Sequence, residues 1–451
     1  RARRIDPNAS ITIVEAGSYV SFANCGLPYF ISRDIEKRGS LILQTPEGFK
    51  ARYGVDVLLK TRASSIDRAK QTVSVEGPEG SYSLPYDSLI LAQGGSPFVP
   101  PMDGLDGKHV FKLWTLHDMD AIHSYIQEHN PKSAVVVGGG FIGLEAAEAF
   151  IKRGLSTSII ELSQHIMPPA DPEFGAMIAQ SFQKAGARVV TGHSVKAIGT
   201  DSVTLDNGDT VQADIVLVSA GVKPNTALAQ ASGLSVGASG GLLVDKYLRT
   251  EDEHIWAAGD MIEIQHRVSG KAVRVPLAGP ANRQGRIAAS NALGFSMEYR
   301  GAQGTSIFKA LDDTFAQTGL SEKAAKALGL DVGVSVVHRN HHVGYFPGAQ
   351  ELSLKIVYEK STGRLVGAEA FGPQGADKRI DVAATALAGN LTIDDLAELD
   401  LAYAPPYGAA NDPMNMAAFA AQNDQSGYAP LVSAQEAWKL HTEKLATVID
   451  V

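Results

Sequence analysis

The feature that most constrains this chain is Gly138, Gly140 and Gly143, a GxGxxG set that directly follows the apolar run Ser133–Val137 (SAVVV). It opens a helix rich in small residues over Gly138–Phe150. The first glycine makes a tight turn, the second lets the backbone approach a pyrophosphate, and the third lets helix and strand pack closely. The helix N-terminus offers unpaired N–H groups and the positive end of a dipole to that phosphate. The next strand, Thr157–Glu161 (TSIIE), ends in an acid about 20 residues after the glycines, where a carboxylate hydrogen-bonds a ribose 2′-OH. Strand, glycine turn, helix and strand in this order make a mononucleotide-binding half of an α/β fold. A tight turn without a ligand is the plain alternative, and the position of Glu161 argues against it. Glu161 favours NADH, because it would meet a 2′-phosphate as a like charge, while Lys152 and Arg153 on the preceding helix leave room for NADPH.

The rest of the composition narrows the function. The chain has 451 residues, with 40 Lys+Arg against 49 Asp+Glu and a net charge of −9. That balance excludes general nucleic-acid binding, which needs a basic footprint. The length suggests two to four domains at roughly 100–200 residues each. No apolar run reaches the roughly 18–20 residues of a membrane span. The opening RARRIDPNAS is too charged for a signal peptide, so a cytoplasmic protein is the simplest reading. One cysteine, Cys25, excludes an internal disulfide framework and a thiolate metal cluster, and no metal site is expected.

Along the chain, Arg1–Arg4 reads as the end of a helix, Asp6-Pro7-Asn8 as a turn and Ile11–Glu15 as a buried strand. Ser88–Ala92, Ala213–Ser219 and Ile255–Ala258 are further short strands. The texture changes near Gly301, where Val332–His338, Leu352–Val357 and a helix around Lys378–Ala388 suggest an α+β domain. Gln422–Leu431 reads as a linker, Ser433–Lys444 as a helix behind a serine cap, and Leu445–Val451 as a strand.

Two weaker signals imply a second dinucleotide. Glu15 ends its strand as Glu161 does, and Ile255–Ala258 runs into Gly259-Asp260. An Asp there accepts a hydrogen bond from a ribityl hydroxyl while nearby N–H groups meet phosphate. Alone, Gly-Asp is a common turn. In this position it resembles the distal flavin motif of the pyridine nucleotide–disulfide oxidoreductases. Gln93-Gly94-Gly95 resembles that family's mid-chain flavin turn, and Gly221–Asn225 its crossover between cofactor domains. The resemblance implies two Rossmann-like domains, one for FAD and one for NAD, and an α+β dimerisation domain. The expected divisions are 1–113 with 245–315 for FAD, 114–244 for NAD, 316–423 for dimerisation, and 424–451 as linker and start of a further domain. The family begins with a strand and its own GxGxxG ahead of the helix holding Arg1–Arg4. Neither is in this sequence, so a truncated N-terminus and weakened FAD binding are expected.

The thiol motif is Ser21–Tyr29, SFANCGLPY. A lone cysteine is more often inert and buried than nucleophilic. Cys25 instead follows the flavin-side acid and sits at an expected helix start, which favours thiolate. SFxxCGxPY resembles the coenzyme A disulfide reductases and their NADH-dependent persulfide reductase relatives. Leu401–Met416 (LAYAPPYGAANDPMNM) and His341–Ala349 (HHVGYFPGA) resemble two further segments of that group. The resemblance implies that Tyr345 and Tyr403 approach the cysteine, the second from the partner in a homodimer. Packing is the plain alternative for both. It also implies coenzyme A contacts at Arg4, Ser21 and Asn24, with Asn282 and Arg286 as further candidates. Asn411 departs from the pattern, where the family often has Lys. The tail from Leu431 resembles the opening of a rhodanese domain. The implied activity is FAD-dependent NAD(P)H reduction of a coenzyme A persulfide, polysulfide or disulfide through Cys25. A rival is an NADH oxidase or peroxidase that cycles Cys25 through sulfenate. A second rival is a binding role in which FAD is never taken up.

Overall fold

The computed structural model describes residues 1–449. The chain divides into two compact units, Arg1–Pro168 with Gly175–Gly304, and Pro169–Phe174 with the chain from Thr305 onward. In chain order the first unit supplies β1 (Thr12–Val14), α1 (Leu27–Ile31), β2 (Asp56–Leu58), β3 (Leu89–Leu91) and β4 (Val110–Phe111). It continues with β5 (Ser133–Val137), α2 (Phe141–Lys152), β6 (Ser156–Glu161), β7 (Arg188–Thr191), β8 (Ile215–Val218), β9 (Ile255–Ala257) and α3 (Ala278–Asn291).

A five-stranded sheet in the order β4-β8-β5-β6-β7 forms the middle of this unit, and every pairing in it is parallel. All five residues of β5 and all four of β8 are buried. A parallel sheet covered on both faces needs such unbroken apolar runs. Leu144, Ala146, Ala147, Ala149 and Phe150 of α2 are buried, and the small residues let the helix lie close on β5 and β6. Elsewhere in the unit the parallel strands form two separate pairs, β1 with β2 and β3 with β9. β1 is shorter and less buried than its sequence suggests. It has one hydrogen-bonded neighbour, so one of its edges stays unpaired.

The second unit is built on an antiparallel sheet. Its strands are β10 (Ser306–Ala310), β11 (Asp313–Gly319), β12 (Val332–Asn340), β13 (Glu351–Glu359) and β14 (Leu365–Gly372), in the order β10-β11-β14-β13-β12. Helices α4 (Ala376–Gly389) and α5 (Pro413–Gln425) pack on it. Lys355 on β13 is fully buried, and its ammonium is ringed by Asp171 at 2.9 Å, Glu322 at 2.6 Å and Glu173. Burial opposes the charge on Asp171, but Lys355 and two backbone N–H groups outweigh it and hold the carboxyl below its usual range.

Two sequence expectations change near the C-terminus. α5 runs through Gln425, so the first four residues of the expected linker are helical. Tertiary partners extend it: Gln422 Nε2 donates to Asp394 at 2.6 Å and Asp424 accepts from the Tyr358 hydroxyl at 2.8 Å. The serine-capped helix forms as α6 (Ala434–Thr442), with Ser433 Oγ accepting from the Glu436 N–H. The expected strand over Leu445–Val451 does not form through residue 449, and its last two residues lie outside the described residues. No described helix is long and apolar enough to cross a membrane.

Candidate active site

The glycine turn has the geometry its spacing demands. Gly138 has φ +108°, and a Cβ there would lie 2.2 Å from the Ser219 carbonyl oxygen. A Cβ on Gly143 would lie 2.0 Å from the Gly138 carbonyl oxygen, so this glycine is needed for helix–turn packing. Gly140 differs: it caps α2 in an extended conformation, and a Cβ there would meet nothing within 4 Å. No steric contact within the protein requires glycine at this position. Glu161 is buried, with Oε2 accepting from the Gly139 N–H at 2.7 Å and Oε1 from the Ser163 N–H at 2.7 Å. The acid is thus tied to the glycine turn. Lys152 and Arg153 lie at the other end of α2 and are engaged there. Lys152 pairs with Asp34 at 2.7 Å and Glu148 at 2.9 Å, and Arg153 donates to the Ile31 carbonyl at 2.9 Å. Both cations are thus engaged by protein partners at the far end of α2 from the glycine turn.

On the flavin side, Glu15 Oε1 accepts from the Gly17 N–H at 2.5 Å at the end of β1. Gly94 has φ +61°, and the Gln93 carbonyl accepts from Asn225 Nδ2 at 2.8 Å. Gly259 has φ +84° and donates to Gln284 Oε1 of α3 at 2.8 Å. Asp260 follows it, half-buried, with no hydrogen-bond partner among the described residues. Burial pushes its carboxyl up, against a smaller opposing effect of Arg274. An acceptor left open in this way fits a hydroxyl donor from a ribityl chain.

Ser21 lies in a short strand, and Asn24 and Cys25 lie in a 3₁₀ turn, Asn24–Gly26, that leads into α1. A Cβ on Gly26 would come 2.4 Å from Leu41 Cδ2, so the turn is tightly seated. Cys25 is exposed, yet burial of the sulfur and then the charge of Glu145 push its thiol above the usual range, while its own backbone N–H pulls the other way. This direction runs against the thiolate preference expected from a helix start. The helix behind Cys25 has only five residues, and burial of the sulfur is the largest of the effects that raise the thiol. Arg4 lies on the short helix Ala2–Ile5, which packs against α3, the helix that carries Arg286. Asn282 Nδ2 is bound to the Ala278 carbonyl at 2.9 Å within α3.

The second unit brings Tyr345 and Tyr403 together, with their hydroxyls 3.2 Å apart and both side chains exposed. Their contact raises the Tyr345 hydroxyl above its usual range. Buried Arg379 joins the two segments that carry them. It grips Asp412 with bonds of 3.1 and 2.8 Å and donates to the His341 carbonyl at 2.8 Å. Asp412 also caps α5. Asn411, the departure from the family pattern, is exposed beside it.

Residues 1–285 match the family described as pyridine nucleotide-disulphide oxidoreductase. The chain belongs to this family. Residues 306–413 match the dimerisation domain of the same family. The NAD(P)H sulfur oxidoreductase (CoA-dependent) of Pyrococcus abyssi is 34% identical over 418 residues, 92% of this chain and 93% of that protein. A crystal structure of reduced Bacillus anthracis CoADR-RHD superposes with a TM-score of 0.96 at 38% identity, covering 98% of this chain and 80% of that one. A NAD-dependent persulfide reductase from A. fulgidus gives a TM-score of 0.93 at 38% identity, covering 95% of this chain and 81% of that one. This protein is an oxidoreductase of that family, with the α/β fold and dimerisation domain its sequence implied.

Within this pyridine nucleotide-disulphide oxidoreductase, sequence reasoning missed Glu145, Tyr29 and Arg379. Glu145 and Glu148 are three residues apart in a helix whose one other charged residue is Lys152, a spacing that sets both acids on one face. That signal was available. Arg379 gave none, because its role depends on two segments that are distant in sequence.

Proposed function

We propose that this enzyme reduces the sulfur–sulfur bond of a coenzyme A persulfide or disulfide, using Cys25 as nucleophile and NADH as the source of electrons through FAD. One observation carries the reading. Helix α1, which begins at the Cys25 turn, packs on α2, which begins at the glycine turn. A lone accessible thiol and a dinucleotide turn therefore share one helix pair. When bound, FAD and NADH supply hydride and electron-pair transfer, chemistry that no side chain here can perform.

The chain's own residues do the rest. Gly138, Gly140, Gly143 and Glu161 hold the nicotinamide dinucleotide, and Glu161 favours NADH over NADPH. Glu15, Gln93, Gly94 and Asp260 hold FAD. Arg4, Ser21, Asn24, Asn282 and Arg286 bind coenzyme A, with the two arginines suited to its phosphates. Cys25 attacks the sulfur–sulfur bond and holds one half of the substrate as a mixed disulfide. Tyr345 and Tyr403 donate hydrogen bonds or a proton to the leaving sulfur, the second of them from the partner in a homodimer.

The test is NADH consumption by the full-length protein with coenzyme A persulfide, coenzyme A disulfide, oxygen and peroxide offered separately. Faster turnover with the two coenzyme A substrates supports the reading. Turnover confined to oxygen or peroxide would replace it with the oxidase reading, and protein that purifies without flavin would replace it with a binding role.

A further inference from the structure

The loop 341–350 joins β12 to β13, carries Tyr345 and has two buried histidines at its base. From Gly344 to Gly348 it is exposed, with no strand or helix of its own. Tyr345 is 75% exposed, and yet its hydroxyl lies 3.2 Å from that of Tyr403. The source of that order is the pair His341 and His342. Their rings meet edge to face, with centroids 4.2 Å apart and planes at 83°. His341 Nε2 and His342 Nδ1 are 2.7 Å apart. His342 Nε2 lies 3.2 Å from the Phe346 carbonyl oxygen, and His341 Nδ1 lies 3.3 Å from the Gln350 backbone nitrogen.

These contacts fix where the ring protons sit. A carbonyl only accepts, so His342 Nε2 carries a proton. In a neutral ring the other nitrogen then accepts, so His342 Nδ1 takes its hydrogen bond from His341 Nε2. His341 Nδ1 is left as an acceptor, and the Gln350 N–H donates to it. The Gln350 carbonyl, 3.1 Å from the same nitrogen, already accepts the His341 backbone N–H at 3.0 Å. One set of tautomers satisfies the whole chain, and the donations run one way, from Gln350 through His341 and His342 to Phe346. The base is anchored separately. Arg379 on α4 donates to the His341 carbonyl at 2.8 Å while it grips Asp412, which also pairs with Lys378 at 3.3 Å. The Val343 N–H donates to the Gly408 carbonyl at 3.0 Å, which ties the loop to the segment of Tyr403. The Phe346 N–H donates within the loop, to the Val343 carbonyl at 3.0 Å, and the His342 ring links Phe346 to the buried base.

We propose that His341 and His342 are positioning residues for Tyr345: His341 orients His342, and His342 clamps the Phe346 carbonyl, so that the neighbouring phenol is held against Tyr403. An apolar ring of the same size would fill the same space, so packing needs neither the 2.7 Å bond nor its direction. The use of this clamp in catalysis rests on the proposed function, in which Tyr345 acts at the leaving sulfur. A released phenol must be ordered again at each turnover, which slows release of the thiol and leaves flavin reduction by NADH alone.

The experiment uses the full-length, flavin-loaded enzyme. In one arm Tyr345 is replaced by 3-fluorotyrosine and read by fluorine NMR. Tyr403→Phe gives the shift of a phenol that has lost its partner. His342→Phe keeps a ring and loses the clamp, so it should move the signal the same way, and adding Tyr403→Phe to it should move it little further. His341→Phe should do likewise. His341→Gln, whose amide can donate to His342 Nδ1, should restore the wild-type signal. In the second arm, with the natural tyrosine, each histidine→Phe change should slow thiol release about tenfold with flavin reduction unchanged. In a Tyr345→Phe background neither should slow it further. The proposal is overturned if the fluorine signal stays in place in both histidine→Phe variants, if His341→Gln moves it as far as His341→Phe does, or if the histidine and Tyr345 effects multiply. A merely loosened fold would slow flavin reduction as well and would multiply with Tyr345→Phe, and that result also counts against the proposal. If the wild-type enzyme releases no thiol from a coenzyme A substrate, the proposed function fails, and the fluorine signal still decides this inference.

Discussion

In the nicotinamide half, every residue proposed to touch the dinucleotide lies between 138 and 161, on a sheet of five parallel strands. In the flavin half, the matching residues are Glu15, Gln93, Gly94 and Asp260, and their strands form two separate parallel pairs. Local sterics can build the first site by themselves: Gly138 and Gly143 are fixed by close contacts to Ser219 and to each other. The second depends on segments that meet only after folding, such as Gln93 with Asn225 and Gly259 with Gln284. Between the two in sequence stands Cys25, in the turn that leads into the helix packed against α2.

The largest expected effect separates the two halves chemically. Cys25→Ser should lower turnover with coenzyme A persulfide or disulfide by roughly a thousandfold or more, because serine is a far weaker nucleophile and forms no disulfide. Flavin reduction by NADH needs neither property and should survive. Stopped-flow absorbance follows the first half-reaction, and a sulfide or free-thiol assay follows the second. Release of sulfide or thiol at near wild-type rates would make Cys25 a packing residue.

The same contrast explains what could be read from sequence. The glycine turn and Glu161 were legible because their spacing reports their geometry, and β5, α2 and β6 formed where the pattern placed them. The raised thiol of Cys25 was not legible, because it follows first from burial of the sulfur and then from Glu145 on another helix, and both arise only in the folded chain. The extension of α5 through Gln425 was hidden for a similar reason: its partners, Asp394 and Tyr358, lie far back in the chain.

A pair of glycine substitutions sharpens the nicotinamide side. Gly143→Ala drives a Cβ onto the Gly138 carbonyl oxygen and should cost about 1–3 kcal/mol of stability as overpacking does, seen as a lower Tm. Gly140→Ala enters open space and should leave Tm unchanged while weakening the nicotinamide nucleotide about tenfold, measured by titration of the quenching of protein fluorescence. Unchanged affinity in Gly140→Ala would mean that no ligand backbone contact exists there.

Asp260→Ala probes the scattered side. The carboxylate has no hydrogen-bond partner among the described residues, and Arg274 acts on it only weakly, so the flavin-free melting temperature should hold. Flavin affinity should fall about tenfold or more, the usual worth of a hydrogen bond to a charged group. A lower melting temperature with unchanged flavin affinity would make Asp260 a structural residue.

The smallest effect should come from Glu161→Gln. Glu161 spends both oxygens on the Gly139 and Ser163 N–H groups, and an amide can accept only one of these while its NH₂ faces the other donor. The turn should loosen slightly, and affinity for both nucleotides should fall together. The charge that meets a 2′-phosphate also disappears, so NADPH should lose less than NADH. No cation replaces it, because Lys152 is held by Asp34 and Glu148 and Arg153 by the Ile31 carbonyl. The ratio of kcat/KM for NADH over NADPH should therefore drop only about threefold, the scale of a single weak charge contact. An unchanged ratio would remove Glu161 from the nucleotide site. Full conversion to NADPH would mean that a cation reaches the ribose from outside the residues that now hold the turn.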